Sequence, residues 1–353
     1  MGEPDVASLR RQLVAWYRAR KRDLPFRRTR DPYAILVAEI ILQRTRVRAG
    51  LPYYERFLAA FPTVRDLAAA SERDVLRVWE GLGFYGRARN LHRAARAMTE
   101  RHGGTVPESF GALRSLPGIG DYTAGAVGSI AFGLRVPAVD GNASRVLSRV
   151  YRIEDDVSRG PGKRRVRDLA AWLVPADAPG EWNQALMELG ATVCTPRAPK
   201  CGVCPIAGEC VAFAAGVQEA LPRTAAKAKT RVVPVVFVVA IHDGSVLLLP
   251  RGDGLHAGLY GLPGGEVRLR EDPEAAARRV LGDIGLRFAA LEPLGPVRQT
   301  FSHLRWEGTA YRCQARGRAP SAQWIPIGSL ECLPLIPLHR RLLSRAVAGD
   351  RAL

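Results

Sequence analysis

The chain has no apolar run approaching the ~20 residues that cross a bilayer, and its opening MGEPDVASLRRQLVAWY lacks the basic-then-apolar pattern of a secretory signal. A cytosolic protein with no membrane partner is therefore expected, in a compartment where structural disulfides are rare. Acidic residues are the scarce charge. Against 52 Lys and Arg stand 34 Asp and Glu, a formal net charge of +18 that calls for an anionic partner. Nucleic acid is the commonest partner for such a balance, ahead of a membrane surface. The basic residues recur along the first 220 positions rather than in one tail, so a nucleoid-associated protein is expected. No stripe suggests an oligomer, which leaves a monomer. Alternating strand patterns are also missing from those 220 positions.

What is present is helical punctuation. ASLRRQLVAWYRAR, AILVAEIILQRTRV, ERDVLRVWEGL, RARNLHRAARAMTER and KRRVRDLAAWLV each space apolar residues at three and four, with short Gly/Pro breaks between them. Residues 221–231, LPRTAAKAKTR, have almost nothing to bury and read as a linker. Beyond it VVPVVFVVAIHDGSVLLLP reads as two paired strands turning at Asp243-Gly244, PEAAARRVLGDIG as a helix and LRWEGTAYRCQ as a strand. At 353 residues the chain exceeds an ordinary single core. The expectation is two domains: an all-α domain over 1–220, the linker 221–231, and a small α/β domain over 232–353.

Of six cysteines, four crowd into CTPRAPKCGVCPIAGEC: Cys194, Cys201, Cys204 and Cys210. Thiolates spaced C-x6-C-x2-C-x5-C on a Pro/Gly-bearing loop can converge on zinc or on a [4Fe–4S] cluster, and spacing alone leaves the two near parity. Cys313 and Cys332 read as ordinary core thiols.

LPGIGDYTAGAV places Gly118, Ile119 and Gly120 between two apolar helical stretches. Backbone N–H groups of such a turn, with the dipole of the next helix, make a phosphate cradle without side-chain charge. Asp140, in PAVDGNASRVL, precedes a helix start at which Asn142 could cap, and Asp140 could itself be a cap. Glu39 stands among aliphatic residues in AILVAEIILQ, either on a solvent face or against apolar walls with a raised pKa. One neutral and one ionised carboxyl suit cleavage of an N-glycosidic bond, with Glu39 as acid and Asp140 as stabiliser of the sugar cation.

The cysteine loop after a long helical domain resembles the cluster loop of the endonuclease III superfamily. Together with DPYAILVAEIILQRTRV, WEGLGFYGRARNLH, LPGIGDYTAGAV, VDGNASRVLSRV and FSH, it makes the chain similar to the MutY-type adenine DNA glycosylases, from about residue 8 onward. The resemblance implies a helix-hairpin-helix glycosylase domain carrying a [4Fe–4S] cluster on Cys194, Cys201, Cys204 and Cys210, followed by a Nudix-like domain. It implies removal of adenine mispaired with 8-oxoguanine or guanine in double-stranded DNA. Glu39 would protonate the adenine at N7 and Asp140 would stabilise or trap the cation. Tyr122 and Asn142 would orient them, and Arg22 and Gln184 would lie in or near the adenine pocket. Where the family carries Gln-Gln and Tyr-Tyr in places that wedge into the duplex, this chain carries Gln43-Arg44 and Phe84-Tyr85. Thymine-mismatch glycosylases of the superfamily share a basic residue at the place of Arg44, which makes them the alternative enzyme. A non-catalytic lesion binder is the alternative from another class.

GLPGGEVRLREDPEAAARRVLGDIGL resembles a Nudix box in which Glu271 and Arg278 or Arg279 persist, while Gly282-Asp283 occupies the metal-binding Glu-Glu place. One carboxylate there is too few for the divalent-ion chemistry of a Nudix hydrolase. In the family such a domain reads 8-oxoguanine, and Phe301, Ser302 and His303 form its loop, with the Ser302 hydroxyl able to accept from the protonated N7 that guanine lacks.

In bifunctional relatives a lysine follows the hairpin and forms a Schiff base that cuts the strand; here that place is Tyr122. Labelled DNA processed by the protein is expected to break only after alkali treatment, and borohydride is expected to trap no covalent adduct. Strand breaks without alkali would refute this.

Overall fold

The computed structural model describes residues 4–225, 230–252, 254–301, 303–317, 319 and 323–350. They form two compact units, Met1–Ala69 with Asn90–Ala226, and Ala70–Arg89 with Lys227–Leu353.

The first unit is helical, with no strand among its described residues. Several of its helices start where the sequence supplies side-chain caps. Asp5 accepts from the amides of Ala7 and Ser8 to open Val6–Arg20, and Arg18 and Arg20 sit in its last turn, where cations suit the dipole. Asp31 caps Pro32–Leu42, with proline in the first turn. One core gathers Leu9, Leu13 and Tyr17 of the first helix with Val146, Leu147 and Val150 of Gly141–Val150. Trp182, Leu186 and Leu189 of Pro179–Thr192 complete it. Pro32–Leu42 is buried at every position from Tyr33 to Ile41, as expected of a helix apolar all round.

The expected helix AILVAEIILQRTRV is two. It stops at Leu42, Arg44 takes φ 59° in the turn, and Val47–Ala60 begins a new one. Likewise ERDVLRVWEGL ends at Val78, because Gly81 and Gly83 turn the chain with φ 94° and 75°. Gly118, with φ 75°, makes the turn between Phe110–Ser115 and Asp121–Phe132, and a Cβ there would lie 2.4 Å from that of Asn90. The expected linker is not free at its start. Leu221 is buried, and its carbonyl accepts from Arg149 Nε at 2.9 Å.

The second unit is built on a mixed sheet. Arg231–His242 pairs antiparallel with Ser245–Pro250 through Asp243 and Gly244, whose positive φ of 44° and 66° suits a two-residue hairpin. On its other side it runs parallel to Leu304–Gln314, from Arg231 opposite Leu304 to Ile241 opposite Gln314. Glu292–Thr300 extends the sheet beyond Leu304–Gln314, and Gln323–Pro326 pairs with Ser245–Pro250. The central strand is buried without interruption from Val235 to Ile241, because both faces are covered. Val236, Val238 and Ala240 pack on Ala276, Ala277 and Leu281 of Pro273–Asp283. Phe237, on the opposite face, meets the His339 ring at 4.4 Å on Pro337–Asp350.

Two sequence expectations change here, and one left open is decided. The structure joins residues 70–89 to the C-terminal unit, since Arg340 forms an ion pair with Glu80 and Arg73 donates to the Cys332 carbonyl. Cys313 is buried as expected, but Cys332 is exposed at the end of a short 3-10 segment. In the Nudix-like stretch Arg279, not Arg278, pairs with Glu271, at 2.8 Å, holding that carboxyl low at about 2 through its hydrogen bond. Arg278 pairs with Glu274 one helical turn away.

A Cβ on Gly125 would lie 2.0 Å from the carbonyl oxygen of Pro137, which is backbone and cannot step aside. Gly125→Ala is expected to destabilise the protein by about 2–4 kcal/mol in urea unfolding. An unchanged midpoint would mean that the helix and the 137–138 strand-like segment separate freely.

Candidate functional site

Glu39 lies in the last turn of Pro32–Leu42, 9 % exposed, where its neighbours on the helix are all apolar. Of the two environments the sequence allowed, the structure selects the apolar wall. Tyr122, one residue into Asp121–Phe132, donates its hydroxyl to Glu39 Oε2 at 2.5 Å and also reaches Met187 Sδ at 3.3 Å. Burial pushes the Glu39 carboxyl up to about 7, and the Asp140 charge adds to this, while the Tyr122 hydrogen bond and the Arg27 charge act against it. Tyr122 is itself driven well above the ordinary phenol range by burial, so it stays a neutral donor.

Asp140 is the N-cap of Gly141–Val150. Its Oδ1 accepts from the Ala143 amide at 2.7 Å and its Oδ2 from Asn142 Nδ2 at 2.8 Å. Asn142 is therefore not the cap; it braces the residue that is. Burial raises the Asp140 pKa, and the Ala143 amide and Asn142 counter it, followed by Arg145. The two carboxyls thus sit close enough for the Asp140 charge to act on Glu39, and they keep different company. Glu39 has a single strong hydrogen bond and apolar walls, while Asp140 has a helix terminus and an amide side chain.

The brace continues inward. Arg145 Nη2 donates to Asn142 Oδ1 at 2.8 Å and to the Gly190 carbonyl at 2.9 Å, and Arg145 Nε donates to the Cys194 carbonyl at 2.8 Å. Close approach makes this possible, because a Cβ on Gly190 would stand 2.6 Å from that of Asn142. Arg149, one turn further, donates to the carbonyls of Thr195 and Pro196 and lies 3.3 Å from Cys194 Sγ. Neither arginine stood out in the sequence; their spacing of four on the helix that Asp140 opens was the available signal.

Arg22 and Gln184 do come to one region, through partners the sequence did not announce. Glu188, one turn beyond Gln184 on Pro179–Thr192, receives Arg22 Nη2 at 2.6 Å and Arg27 Nη2 at 2.7 Å. Burial pushes Glu188 up, yet the two guanidiniums outweigh it and hold the carboxyl at about 2. Gln184 Oε1 accepts from the Tyr17 hydroxyl at 2.9 Å. A charged residue inside the apolar run NQALMELG was the hint for Glu188.

The hairpin exposes Gly118 and Gly120 and buries Ile119, so its backbone faces solvent at the start of a twelve-residue helix. Gln43, at the end of the Glu39 helix, donates to Thr123 Oγ1 at 3.0 Å, and Arg44 is exposed beside it. In the second unit the 79–85 turn presents Phe84, 40 % exposed with φ 50°, and buries Tyr85, whose hydroxyl accepts from the Gly81 amide at 3.3 Å. Of the two expected wedge residues only Phe84 is presented; Tyr85 shapes the turn. Phe301 stacks edgewise on Trp306 at 4.8 Å and His303 is exposed, while Ser302 lies outside the described residues.

The four clustered thiols line one pocket together with Val146, Val150, Leu189, Ile206 and Phe213. Among the described residues no three of His, Cys, Asp or Glu are grouped to hold a single metal ion. An apolar chamber walled by four thiols suits a bulky thiolate-bound cluster. Burial pushes Cys204 up to about 12 as a free thiol, a cost that ligation removes.

Three known families match the chain: HhH-GPD superfamily base excision DNA repair protein over residues 37–175, the iron-sulfur binding domain of endonuclease III over 194–210, and the NUDIX domain over 235–345. The adenine DNA glycosylase of Rattus norvegicus is 34 % identical, over 91 % of this chain and 73 % of its own length. That of Homo sapiens is 34 % identical, over 91 % and 70 %. The solved structure of a thermostable thymine-DNA glycosylase is 30 % identical with a TM-score of 0.54, covering 60 % of this chain and 97 % of that one. The family match at 194–210 and the chamber agree: Cys194, Cys201, Cys204 and Cys210 are the ligands expected to hold a [4Fe–4S] cluster.

The Glu39 carboxyl keeps its proton up to about 7 when folded, against an ordinary value of 4.5. Its folded pKa is raised, so its contribution is full below the unfolded value and is lost as pH climbs to about 7. Glu39→Gln is expected to be more stable than the parent at pH 8, by about 2–3 kcal/mol, with the gap closing toward pH 5. Parallel stability–pH curves would refute the buried acid.

Proposed function

This chain belongs to the adenine DNA glycosylase family, and on that premise we propose that it removes adenine mispaired with 8-oxoguanine or guanine in duplex DNA, leaving an abasic site with the strand intact. The observation that carries the proposal is the buried Glu39, hydrogen-bonded by Tyr122 and within reach of the charge of the helix-capping Asp140.

The division of labour follows from the two environments. A target adenine must first be turned out of the stack, at a cost of about a few kcal/mol. Glu39, neutral and held toward the base by Tyr122, gives its proton to N7 as the bond from N9 to C1′ breaks. The electron pair leaves with the base. Asp140 remains ionised at the helix terminus and faces the cation that forms on the sugar, which water then captures at C1′. Asn142 and Arg145 keep its second oxygen and the helix start in place. Arg22, Gln184 and Glu188, with Arg27, offer the polar surface expected of a purine pocket. A bound cluster supplies four iron–thiolate cross-links to the 194–210 loop; the chemistry at C1′ uses the carboxyls alone.

Around this site we assign 1–220 to excision and 232–353 to reading the opposite base, with Gly118, Ile119 and Gly120 on the phosphate backbone. Gln43, Arg44 and Phe84 would contact the opened duplex, and Phe301, Ser302 and His303 would meet 8-oxoguanine. Tyr85 serves as the support of Phe84. The thymine-mismatch alternative draws on Arg44 and on the likeness of the helical part to a thymine-DNA glycosylase. That likeness covers 60 % of the chain and leaves the NUDIX match over 235–345 without a role.

Single-turnover excision from duplexes carrying A:8-oxoguanine, A:G, T:G or A:T is expected to be fastest for A:8-oxoguanine. Glu39→Gln should slow it ~10²–10⁴-fold. Faster loss of thymine from T:G would favour the alternative, and a Glu39→Gln protein with parental rates would overturn the assignment of the acid.

A further inference from the structure

The segment Ala70–Arg89 belongs to the same compact unit as the Nudix-like sheet, although some 140 residues of chain separate it from Lys227. Its turn is tightly made. Trp79 Nε1 donates to the Gly83 carbonyl at 3.0 Å, Gly81 N donates to the Tyr85 hydroxyl, and Arg87 lies over both the Trp79 and Phe84 rings. The product is an exposed aromatic ring on a residue with φ 50°, a backbone state held only where the surroundings enforce it.

Enforcement comes from the Pro337–Asp350 helix. Arg340 grips Glu80 with two guanidinium nitrogens, Nη2 to Oε2 at 2.8 Å, while the same side chain donates to the carbonyls of Leu330 and Leu333. Glu80 Oε2 also accepts from the Leu335 amide at 3.3 Å. The pair is largely withdrawn from solvent, Glu80 at 15 % and Arg340 at 32 % side-chain exposure, so it is a bidentate contact of the stronger kind. Next to Arg340, His339 packs on Phe237 at 4.4 Å, Phe237 on Trp306 at 5.5 Å, and Trp306 on Phe301 at 4.8 Å. A second connection runs beside it. Arg89 donates to the Ala257 carbonyl, and a Cβ on Gly258 would lie 2.6 Å from Leu76 Cδ1. His256, one residue before Ala257, meets the Phe301 ring at 5.6 Å.

We infer that Glu80 and Arg340 are positioning residues for mispair discrimination: their ion pair fixes the Phe84 turn to Phe301, at the edge of the loop proposed to read the opposite base, so that the two rings move as one body. This rests on the reading of that loop given above. Neither residue touches the reacting atoms, and both can change without altering the carboxyls that break the bond.

The test uses the full chain as the parent, Arg340→Gln, Glu80→Gln, the double variant, and Arg340→Lys. Affinity is measured for duplexes with a non-cleavable adenine analogue opposite 8-oxoguanine or guanine, and excision is measured at saturating protein. Each single variant is expected to lower the 8-oxoguanine-to-guanine affinity ratio about fivefold or more, while the saturating excision rate from A:8-oxoguanine stays near the parental value. The double variant is expected to be no worse than the single ones, the signature of a shared interaction, and Arg340→Lys to recover part of the ratio. A parental ratio in the single variants, with Phe84→Ala lowering it, would overturn the inference alone. Equal loss of affinity for both duplexes, with a lower unfolding temperature, would reduce the pair to a structural role and also overturn it. A parent binding both duplexes equally would overturn the lesion reading and the inference with it.

Discussion

The site depends on one constraint, the cost of holding a carboxylate charge in an apolar wall. Glu39 sits on a helix buried from Tyr33 to Ile41, so its charge would be poorly solvated and the pKa of its carboxyl proton is pushed up to about 7. Everything near it can be understood as keeping that proton useful. Tyr122 points it with a short hydrogen bond, and Gly125 lets the Tyr122 helix lie against Pro137 and Ala138, just before Asp140. A larger residue at 125 would push apart the two elements that bring the carboxyls together.

Asp140 is also buried and its pKa also raised, but the Ala143 amide and Asn142 counter that burial. Capping a helix and catalysing a reaction are often posed as alternatives, yet here the capping geometry supplies the environment that favours an ionised carboxylate. Its support then passes through Asn142 and Arg145 to the backbone of Cys194, the first ligand of the cysteine loop. The loop and the carboxylate are thus parts of one hydrogen-bonded body, in which a single helix, Gly141–Val150, carries the cap at one end and the two arginines facing the loop along its length.

The C-terminal unit has kept the frame of a Nudix domain while its acidic residues serve other ends. Glu271 is occupied by Arg279, and the central strand is covered on both faces, by Pro273–Asp283 and by Pro337–Asp350. The second of these helices extends its influence to Glu80, which draws a piece of the N-terminal sequence into this unit. A division of the chain by composition misses that exchange, because ERDVLRVWEGL has the same helical texture as its neighbours in sequence.

The helical texture of the first 220 residues, the Asp243-Gly244 turn and the cysteine loop were legible in the sequence. They depend on local chemistry: the period of apolar residues, a two-residue turn signal and the spacing of four thiols. The identities of Glu39 and Asp140 were legible too, but their states were not. Whether Glu39 faced solvent or an apolar wall, and whether Asn142 or Asp140 was the cap, depended on which helices lay against them. Residues such as Glu188, Arg145 and Arg149 stayed hidden for the same reason, since a charge in a helical run has no evident role until a partner 46 to 166 positions away is in place. The sequence by itself determined which groups were available, where the apolar period runs and how the four thiols are spaced. Only the tertiary structure decided how each carboxyl is held, Glu39 by apolar walls and one hydrogen bond and Asp140 by a helix terminus and an amide, because desolvation and its compensation belong to walls that come from distant parts of the chain.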